Sequence, residues 1–556
     1  MIATEIGSVV QILAQRAHET PNETALFDTP NLHDISNVLD YQTLWKRVRA
    51  VASVLGDHPG ARNLIVMDNT TDYVIGLLGA LTAGQVAVNL LPPKAGKHQD
   101  RLEYVAKDCN ARAILTTHAN FSQLEGVLPD NVKTILVDDL THTDEIFLPE
   151  VNPESLACLQ YTSGSTGKPR GVRLTHGNII GNLQSITDGW SFTTADKGLS
   201  WLPMYHDMGL FLGPMIAIFA GFPMGISRPL SFVKSPDRWL QFISDHGISF
   251  SGGPNFCYDL CVEMVRPETI PDLDLSSWRK ALNGAEPVRA STHRSFLDKF
   301  QPFGFNKETY APAYGLAEAT LVIAATNGGA HTMDVDLNQL SQGVIAPPRS
   351  QAHTLVSSGQ ALPGTELRII DPQTNRTLSD FKIGEITAKA PGNSDGYWNK
   401  DESISPSQTE ENWLRTGDLG FTDSQGYLFV TGRIKDIIII DGRNHAPQDL
   451  EETTEKADEA IRPNCVAAFS MDNGEKEEVG IVAEIRRSHA EQLDPKKVVL
   501  NIIRQINQMH EVQVHSVWLV RHGQVLKTTS GKVRRSACRT AALDDALHTF
   551  FHWSVK

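Results

Sequence analysis

Cysteine is scarce in this sequence. Six cysteines are spread over 556 residues, at positions 109, 158, 257, 261, 465 and 538, and no two stand as a CxxC pair. A disulfide framework or a structural zinc site needs paired thiols. Buried thiols in a reducing compartment are therefore expected, and with them a cytoplasmic location. Cationic charge is also short. Lys and Arg number 50 against 65 Asp and Glu, a formal net charge of −15. General nucleic-acid affinity runs on cationic surface, so no nucleic-acid partner is expected. No apolar run is both long and unbroken. Residues 210–226 are about long enough to span a bilayer, but Gly213, Pro214, Gly221 and Pro223 interrupt them, and a buried core segment is expected instead. The opening residues, Met1-Ile-Ala-Thr-Glu5, carry an acid and no basic stretch, so no secretory signal is expected. Internal repeats and low-complexity segments are lacking too.

What is present is an ordinary globular composition, 41% hydrophobic and 21% charged, in a chain long enough for two to four domains. Apolar spacing predicts helices over 8–18, around Leu44, Val48, Val51 and Leu55, and over 73–81. Short apolar runs predict strands at 63–67, 87–91, 113–116, 134–137 and 156–161. Strands alternating with helices imply parallel sheets covered on both faces. The expected fold class is α/β: a large N-terminal domain of parallel sheets layered with helices, plus a small mobile α/β C-terminal domain.

The densest functional signal is Tyr161-Thr-Ser-Gly-Ser-Thr-Gly-Lys-Pro-Arg-Gly171. Three glycines, two serines and two threonines fall within it. Glycine lets backbone approach a ligand closely, and successive N–H groups with short hydroxyls form a concave anion site. A buried strand precedes it. A helix containing Ile179, Ile180, Leu183 and Ile186 follows, with Thr175 as expected N-cap. Strand, loop, helix is the layout of a phosphate cradle. It is not the common P-loop, because Gly164, Gly167 and Lys168 have the wrong spacing and Pro169 follows the lysine.

Other polar clusters lie at strand ends. Trp201-Leu-Pro-Met-Tyr-His-Asp-Met-Gly209 carries His206. Phe250-Ser-Gly-Gly-Pro-Asn-Phe256 is a strand and turn. Asn283-Gly-Ala-Glu-Pro287 offers backbone and an amide side chain to an adenine edge. In Tyr314-Gly-Leu-Ala-Glu-Ala-Thr320, Tyr314 suits stacking on adenine, Thr320 supplies a hydroxyl, and Glu318 suits Mg²⁺, a hard cation held by one or two carboxylates plus phosphates. Asp418, ending Trp413-Leu-Arg-Thr-Gly-Asp418, and Arg433 both suit a ribose. Near the end stands Lys527-Thr-Thr-Ser-Gly-Lys532-Val-Arg-Arg535, a basic run of the kind that usually forms a solvated face.

Together and in this order, these motifs resemble the adenylate-forming superfamily of acyl-CoA synthetases, luciferases and peptide-synthetase adenylation domains. Within it they resemble the fatty acyl-AMP ligase branch, over most of the chain. The resemblance implies a two-step enzyme using ATP and Mg²⁺. A fatty acid and ATP give acyl-AMP and pyrophosphate, and the acyl group then passes to the phosphopantetheine thiol of a holo acyl carrier protein. It implies that Thr162, Ser163, Gly164, Ser165, Thr166, Gly167 and Lys168 hold phosphates, and that Asn283, Gly284, Ala285, Glu286, Tyr314, Gly315, Thr320, Asp418 and Arg433 complete the nucleotide site. Glu318 holds Mg²⁺, and Lys532 swings into the adenylation site. His206 closes over the acyl carboxylate, while Met208, Gly209 and Phe256 line the acyl chain. The 210–226 run then becomes a candidate for the acyl tunnel. Residues 326–358, polar and turn-rich, stand where this branch carries an extra segment that hinders the CoA-using geometry.

The expected domains are 1–433 and 434–556, with Lys435 or Asp436 as hinge. Within the second, 461–469, 479–485, 498–506 and 514–520 are strand or helix candidates. No carrier-type Gly-Asp-Ser-Leu motif occurs, so a separate acceptor protein is expected, and the enzyme is expected as a monomer or weak dimer. The alternative is a fatty acyl-CoA synthetase using free CoA. A nucleotide- or lipid-binding regulator without catalysis and an amino-acid-activating enzyme are further rivals.

Overall fold

The computed structural model describes residues 7–93, 99–124, 132–141, 149–162, 169–349, 352–399, 412–440, 442–472, 477–528 and 531–555. The chain forms two compact units that are interleaved in sequence. The first is Met1–Ala330, Ser358–Leu367 and Ala388–Arg415; the second is His331–Ser357, Arg368–Thr387 and Thr416–Lys556.

The first unit contains two large sheets. One has six strands in the order Lys133–Leu136, Ala113–Thr116, Arg62–Ile65, Val86–Asn89, Leu156–Thr162 and Arg170–Thr175. All neighbours are parallel except the last pair. Successive side chains in a strand point to opposite faces, and here both faces are covered. Ile65, Ala87 and Leu115 enter the main core, shared with the helices Tyr41–Leu55 and Thr71–Thr82. Leu64, Val86, Val88 and Ile114 enter a second core with Leu102 and Val105 of the helix Gln99–Asp108.

The other sheet has nine strands in the order Gln360–Ala361, Val322–Ala325, Tyr310–Gly315, Lys280–Asn283, Phe250–Gly253, Gly198–Ser200, Met224–Ile226, Thr24–Asp28 and Ser36–Asp40. From Tyr310–Gly315 to Thr24–Asp28 every pairing is parallel. Their carboxyl ends therefore lie along one edge, where open α/β sheets bind ligands. The 210–226 run is buried throughout except for half-buried Gly221 and Pro223. Gly213 and Pro214 break it into a π-helical turn, Phe211–Met215, and the short helix Ile216–Ala220, which agrees with a core segment. Among the described residues no helix is long and apolar enough to cross a membrane.

Thr175 caps the helix His176–Trp190 as its position predicts. Its hydroxyl accepts from the Asn178 N–H at 3.1 Å, and the Asn178 side chain accepts from the Thr175 N–H at 3.0 Å, satisfying donors that the first helical turn leaves open. All six cysteines are buried. Burial pushes the thiols of Cys109 and Cys158 up to about 12.

In the second unit, the four candidates of the C-terminal region resolve into three strands and one helix. Ile461–Asp472, Glu477–Ile485 and Val514–Val520 are strands of a four-stranded sheet completed by Thr549–Ser554; 498–506 lies in the helix Pro495–His510. One sheet face packs Val466, Ile481, Val517 and Leu519 against Leu450, Val498, Ile502 and Ile506. The other packs Phe469, Val482, Trp518 and Val520 against Cys538 and Ala542. Within the turn-rich 326–358 stretch the described residues of this unit form regular elements. Thr332–Asp336 pairs antiparallel with Ala352–Val356, and the short helix Leu337–Ser341 follows the first strand. The boundary expected at 433/434 falls inside this unit, between the strands Leu428–Arg433 and Ile438–Ile440.

Two buried histidines of this unit set a pH limit. Burial, then the neighbouring His445 and His353, lowers His510 to about 3, and burial lowers His445 to about 4. His510 accepts or donates a 2.7 Å bond with the Thr453 hydroxyl. In the unfolded chain both titrate near about 6.5. Above that pH both states are neutral and the full stability is present. Below it only the unfolded chain takes up the protons, so stability is lost as pH falls from about 6.5 toward the folded values. Hydrogen-exchange protection factors in Pro495–His510, taken relative to the intrinsic rate at each pH, are expected to fall between pH 6.5 and 4.5, and His510→Gln is expected to flatten that dependence.

Candidate active site

Four adjacent parallel strands of the nine-stranded sheet deliver the predicted residues of the first unit other than those of the phosphate cradle. Beyond Gly198–Ser200, Pro203 ends the extended run, and the chain turns through His206 into the short helix Asp207–Leu210. The His206 ring sits with Nδ1 2.5 Å from the Asp207 carboxylate. Met208 is buried. A Cβ at Gly209 would stand 2.2 Å from the Pro203 carbonyl oxygen, so only glycine fits that turn.

Beyond Phe250–Gly253 the helix Asn255–Met264 begins. Phe256 is half-buried, with its ring 6.2 Å from Trp201 and edge-on to it; Trp201 in turn stacks on Phe232 at 4.1 Å. The Phe256 N–H donates to Glu286 Oε1 at 2.6 Å, which puts a carboxylate at the positive end of that helix.

Beyond Lys280–Asn283, the Asn283 side chain is fully buried. Its amide nitrogen donates to Asn255 at 3.2 Å and to the Tyr310 hydroxyl. Gly284 is buried and Ala285 and Glu286 half-buried, with Ala285 at φ +68°. Beyond Tyr310–Gly315 the chain turns tightly. Tyr314 is half-buried and Gly315 exposed. Thr320 holds φ +65° and donates to the Gly392 carbonyl at 2.8 Å. A β-branched residue at positive φ is strained, and such strain collects at functional sites. Neither Ala285 nor Thr320 is a residue type that announces such a conformation in sequence.

Glu318 is half-buried in this turn, and one carboxylate oxygen accepts the Tyr397 hydroxyl at 2.6 Å. A single oriented carboxylate with hard oxygen donors fits Mg²⁺, which takes few protein ligands and completes its shell with water and phosphate. Tyr397 was not among the predicted residues. Its signal is an aromatic pair, Tyr397 and Trp398, in an otherwise polar and turn-rich stretch. Of the phosphate cradle, Thr162 ends the strand Leu156–Thr162; Ser163, Gly164, Ser165, Thr166, Gly167 and Lys168 lie outside the described residues.

In the second unit Asp418 and Arg433 are directly paired across neighbouring strands. The Arg433 Nε lies 2.7 Å from the Asp418 carboxylate, with Asp418 buried and Arg433 exposed. Lys435 is exposed, while Asp436 is half-buried and bound to Arg535 at 3.2 Å. Lys532 is exposed on a tight turn. Its N–H donates to the Thr528 hydroxyl at 3.1 Å and its carbonyl accepts from the Thr528 N–H at 2.7 Å.

Residues 13–398 match the profile of the family described as AMP-binding enzyme. The chain belongs to that family. Residues 435–550 match a second profile, Disco-interacting protein 2-like, AMP domain. The chain is 36% identical to the medium-chain-fatty-acid–[acyl-carrier-protein] ligase JamA of Moorena producens (strain JHB), over 98% of this chain and 97% of JamA. A structure from work on fatty acyl-adenylate ligases of E. coli and L. pneumophila superposes with a TM-score of 0.89 at 29% identity, covering 98% of this chain and 99% of that one. A fatty acyl-adenylate ligase from L. pneumophila, solved in complex with acyl adenylate and pyrophosphate, superposes with a TM-score of 0.75 at 30% identity, covering 99% and 98%. Within the AMP-binding enzymes, the chain thus falls in the fatty acyl-AMP ligase branch.

Proposed function

We propose that this chain converts a fatty acid and ATP to acyl-AMP and pyrophosphate, then passes the acyl group to the phosphopantetheine thiol of a holo acyl carrier protein. The observation that carries this reading is the shared edge of four parallel strands, which presents His206, Phe256, Glu286 and Glu318 together. Likeness to JamA over nearly the full length supports a carrier protein as acceptor. The acyl adenylate and pyrophosphate held by the L. pneumophila ligase support the first step.

A carboxylate is a weak nucleophile and ATP is shielded by negative charge, so alignment and charge neutralisation supply most of the catalysis. Residues 162–168 hold the β- and γ-phosphates. Glu318 would hold Mg²⁺, which when bound would supply positive charge against the phosphate oxygens. Tyr314 and the 283–286 turn flank the adenine, and Asp418 and Arg433 take the ribose. Met208, Gly209 and Phe256 line the acyl chain beside the buried 210–226 segment, and His206 closes over its carboxylate. Lys532 stabilises the charge shared between that carboxylate and the α-phosphate. The carboxylate oxygen attacks the α-phosphorus and pyrophosphate leaves.

For the second step the residues beyond 433 rotate about Lys435 or Asp436, withdraw Lys532 and admit the thiol. The thiol attacks the acyl carbon, AMP departs, and the thiol proton is released. The start of the second profile match at residue 435 supports a boundary there.

Product analysis with ATP, Mg²⁺ and C6 to C18 fatty acids tests the reading. With CoA as sole acceptor, acyl-AMP is expected to build up; adding holo acyl carrier protein is expected to convert it to acyl-carrier. Rapid acyl-CoA formation would move the chain to the CoA-using branch. ATP binding without turnover on any acid would make it a nucleotide-binding regulator.

A further inference from the structure

Residues 392–399 form a strap that holds two parts of the first unit in register. One side of the strap grips the turn that carries Glu318. The Gly392 carbonyl accepts the Thr320 hydroxyl at 2.8 Å, the Ser394 N–H donates to the Glu318 carbonyl at 2.8 Å, and the Tyr397 hydroxyl donates to the Glu318 carboxylate at 2.6 Å. The other side lies along the strand that leaves the phosphate loop. Tyr397 bridges Val172, the Arg173 N–H donates to the Gly396 carbonyl at 3.0 Å, and the Trp398 N–H donates to the Gly171 carbonyl at 2.8 Å. Asn178, in the first turn of the following helix, donates to the Asn393 carbonyl at 2.8 Å. The Arg170 guanidinium sits 5.7 Å from the centre of the Tyr397 ring.

Beyond Tyr397 the strap is anchored again. Trp398 Nε1 and the Asn399 amide both donate to the Asp108 carbonyl, at 3.2 and 2.6 Å. Asp108 also accepts the Tyr161 hydroxyl at 2.5 Å. The last buried residue before the loop and the first residues after it are thus tied to the same strap.

We propose that Tyr397 is the positioning residue for metal-bound ATP: its hydroxyl fixes the Glu318 carboxylate while its ring and backbone fix that carboxylate relative to the strand leaving the phosphate loop. The proposal rests on Glu318 being the metal carboxylate. A ligating carboxylate oriented by a hydrogen-bond donor is the usual arrangement around a bound metal, and loss of such a partner lowers metal affinity or activity by about 10–100-fold.

The test compares Tyr397→Phe, which keeps the ring beside Arg170 and removes only the hydroxyl, with Glu318→Gln. Mn²⁺ binding is read by electron paramagnetic resonance on the full chain with α,β-methylene ATP, and both half-reactions are assayed separately. Tyr397→Phe is expected to weaken Mn²⁺ binding about 10-fold, to slow acyl-AMP formation at limiting Mg²⁺ with recovery at saturating Mg²⁺, and to leave transfer from supplied acyl-AMP unchanged. Wild-type Mn²⁺ binding by Tyr397→Phe, alongside weakened binding by Glu318→Gln, would overturn the proposal and leave the metal reading standing. Wild-type binding by Glu318→Gln would overturn the metal reading itself. Equal loss of both half-reactions in Tyr397→Phe would reduce the residue to a structural part and overturn the proposal.

Discussion

Lys532→Ala is expected to lower acyl-AMP formation by about 10²–10³-fold, the usual cost of removing one charge-stabilising donor from a transition state. Transfer of the acyl group from supplied acyl-AMP to the carrier is expected to stay near the wild-type rate. The asymmetry follows from the roles assigned above. The lysine meets charge that develops only while carboxylate and α-phosphate share it, whereas the thiol attack that follows expels AMP without that need. The structure also makes this a clean substitution. Lys532 is exposed, and its own N–H and carbonyl bind the Thr528 hydroxyl and N–H at 3.1 and 2.7 Å, bonds that alanine keeps. Acyl-AMP release assayed by chromatography, beside transfer of labelled acyl groups to holo carrier, separates the steps. Equal losses in both would remove Lys532 from its role.

The largest stability effect is expected at Arg535→Met. Arg535 holds Glu451 in a two-pronged pair at 2.7 and 2.8 Å and Asp436 at 3.2 Å. The Glu451 side chain is only 5% exposed and also accepts the Ala468 N–H at 3.1 Å. Burial alone would lower the Arg535 pKa, but the two carboxylates more than offset that and raise it. Removing the cation leaves a buried carboxylate without its counter-charge, a change that typically costs about 3–5 kcal/mol. The double variant Arg535→Met/Glu451→Met removes both charges and is expected to recover much of that loss, because a packed apolar pair is often as stable as a buried ion pair. Urea unfolding of the four proteins of this cycle measures it. A loss below about 1 kcal/mol for Arg535→Met would place the cluster among weak surface pairs.

Much of the fold was legible because its elements are locally self-consistent. The apolar run 113–116 is a strand at those residues, the helix through Leu44, Val48, Val51 and Leu55 spans Tyr41–Leu55, and Thr175 caps its helix. In the site, the clusters carrying His206, Phe256, Asn283 and Glu318 follow strand ends, whereas Asp418 lies within the strand Leu414–Thr422. What stayed hidden depended on long-range pairing or on conformation without a marker residue. Asn178 and Asn393 meet across 215 positions of chain, so no local pattern betrays the strap, and the aromatic pair Tyr397-Trp398 does not by itself say what it touches. Positive φ at Ala285 and Thr320 occurs where no glycine signals it. The 326–358 stretch reads only as polar and turn-rich, yet the ladder from Thr332 to Asp336 is paired in register with Ala352–Val356.

The burial of every cysteine bears on how the second step can be watched. A thiolate, not a thiol, attacks reagents such as dithionitrobenzoate, and the enzyme's own thiols are both shielded and raised out of range. In a mixture of enzyme and holo carrier, the colour yield of that reagent on folded protein therefore counts only the phosphopantetheine thiol of a cysteine-free carrier. Its fall in successive aliquots, each treated with the reagent as it is withdrawn, would follow acyl transfer without radiolabel and without first stripping the catalyst of its cysteines.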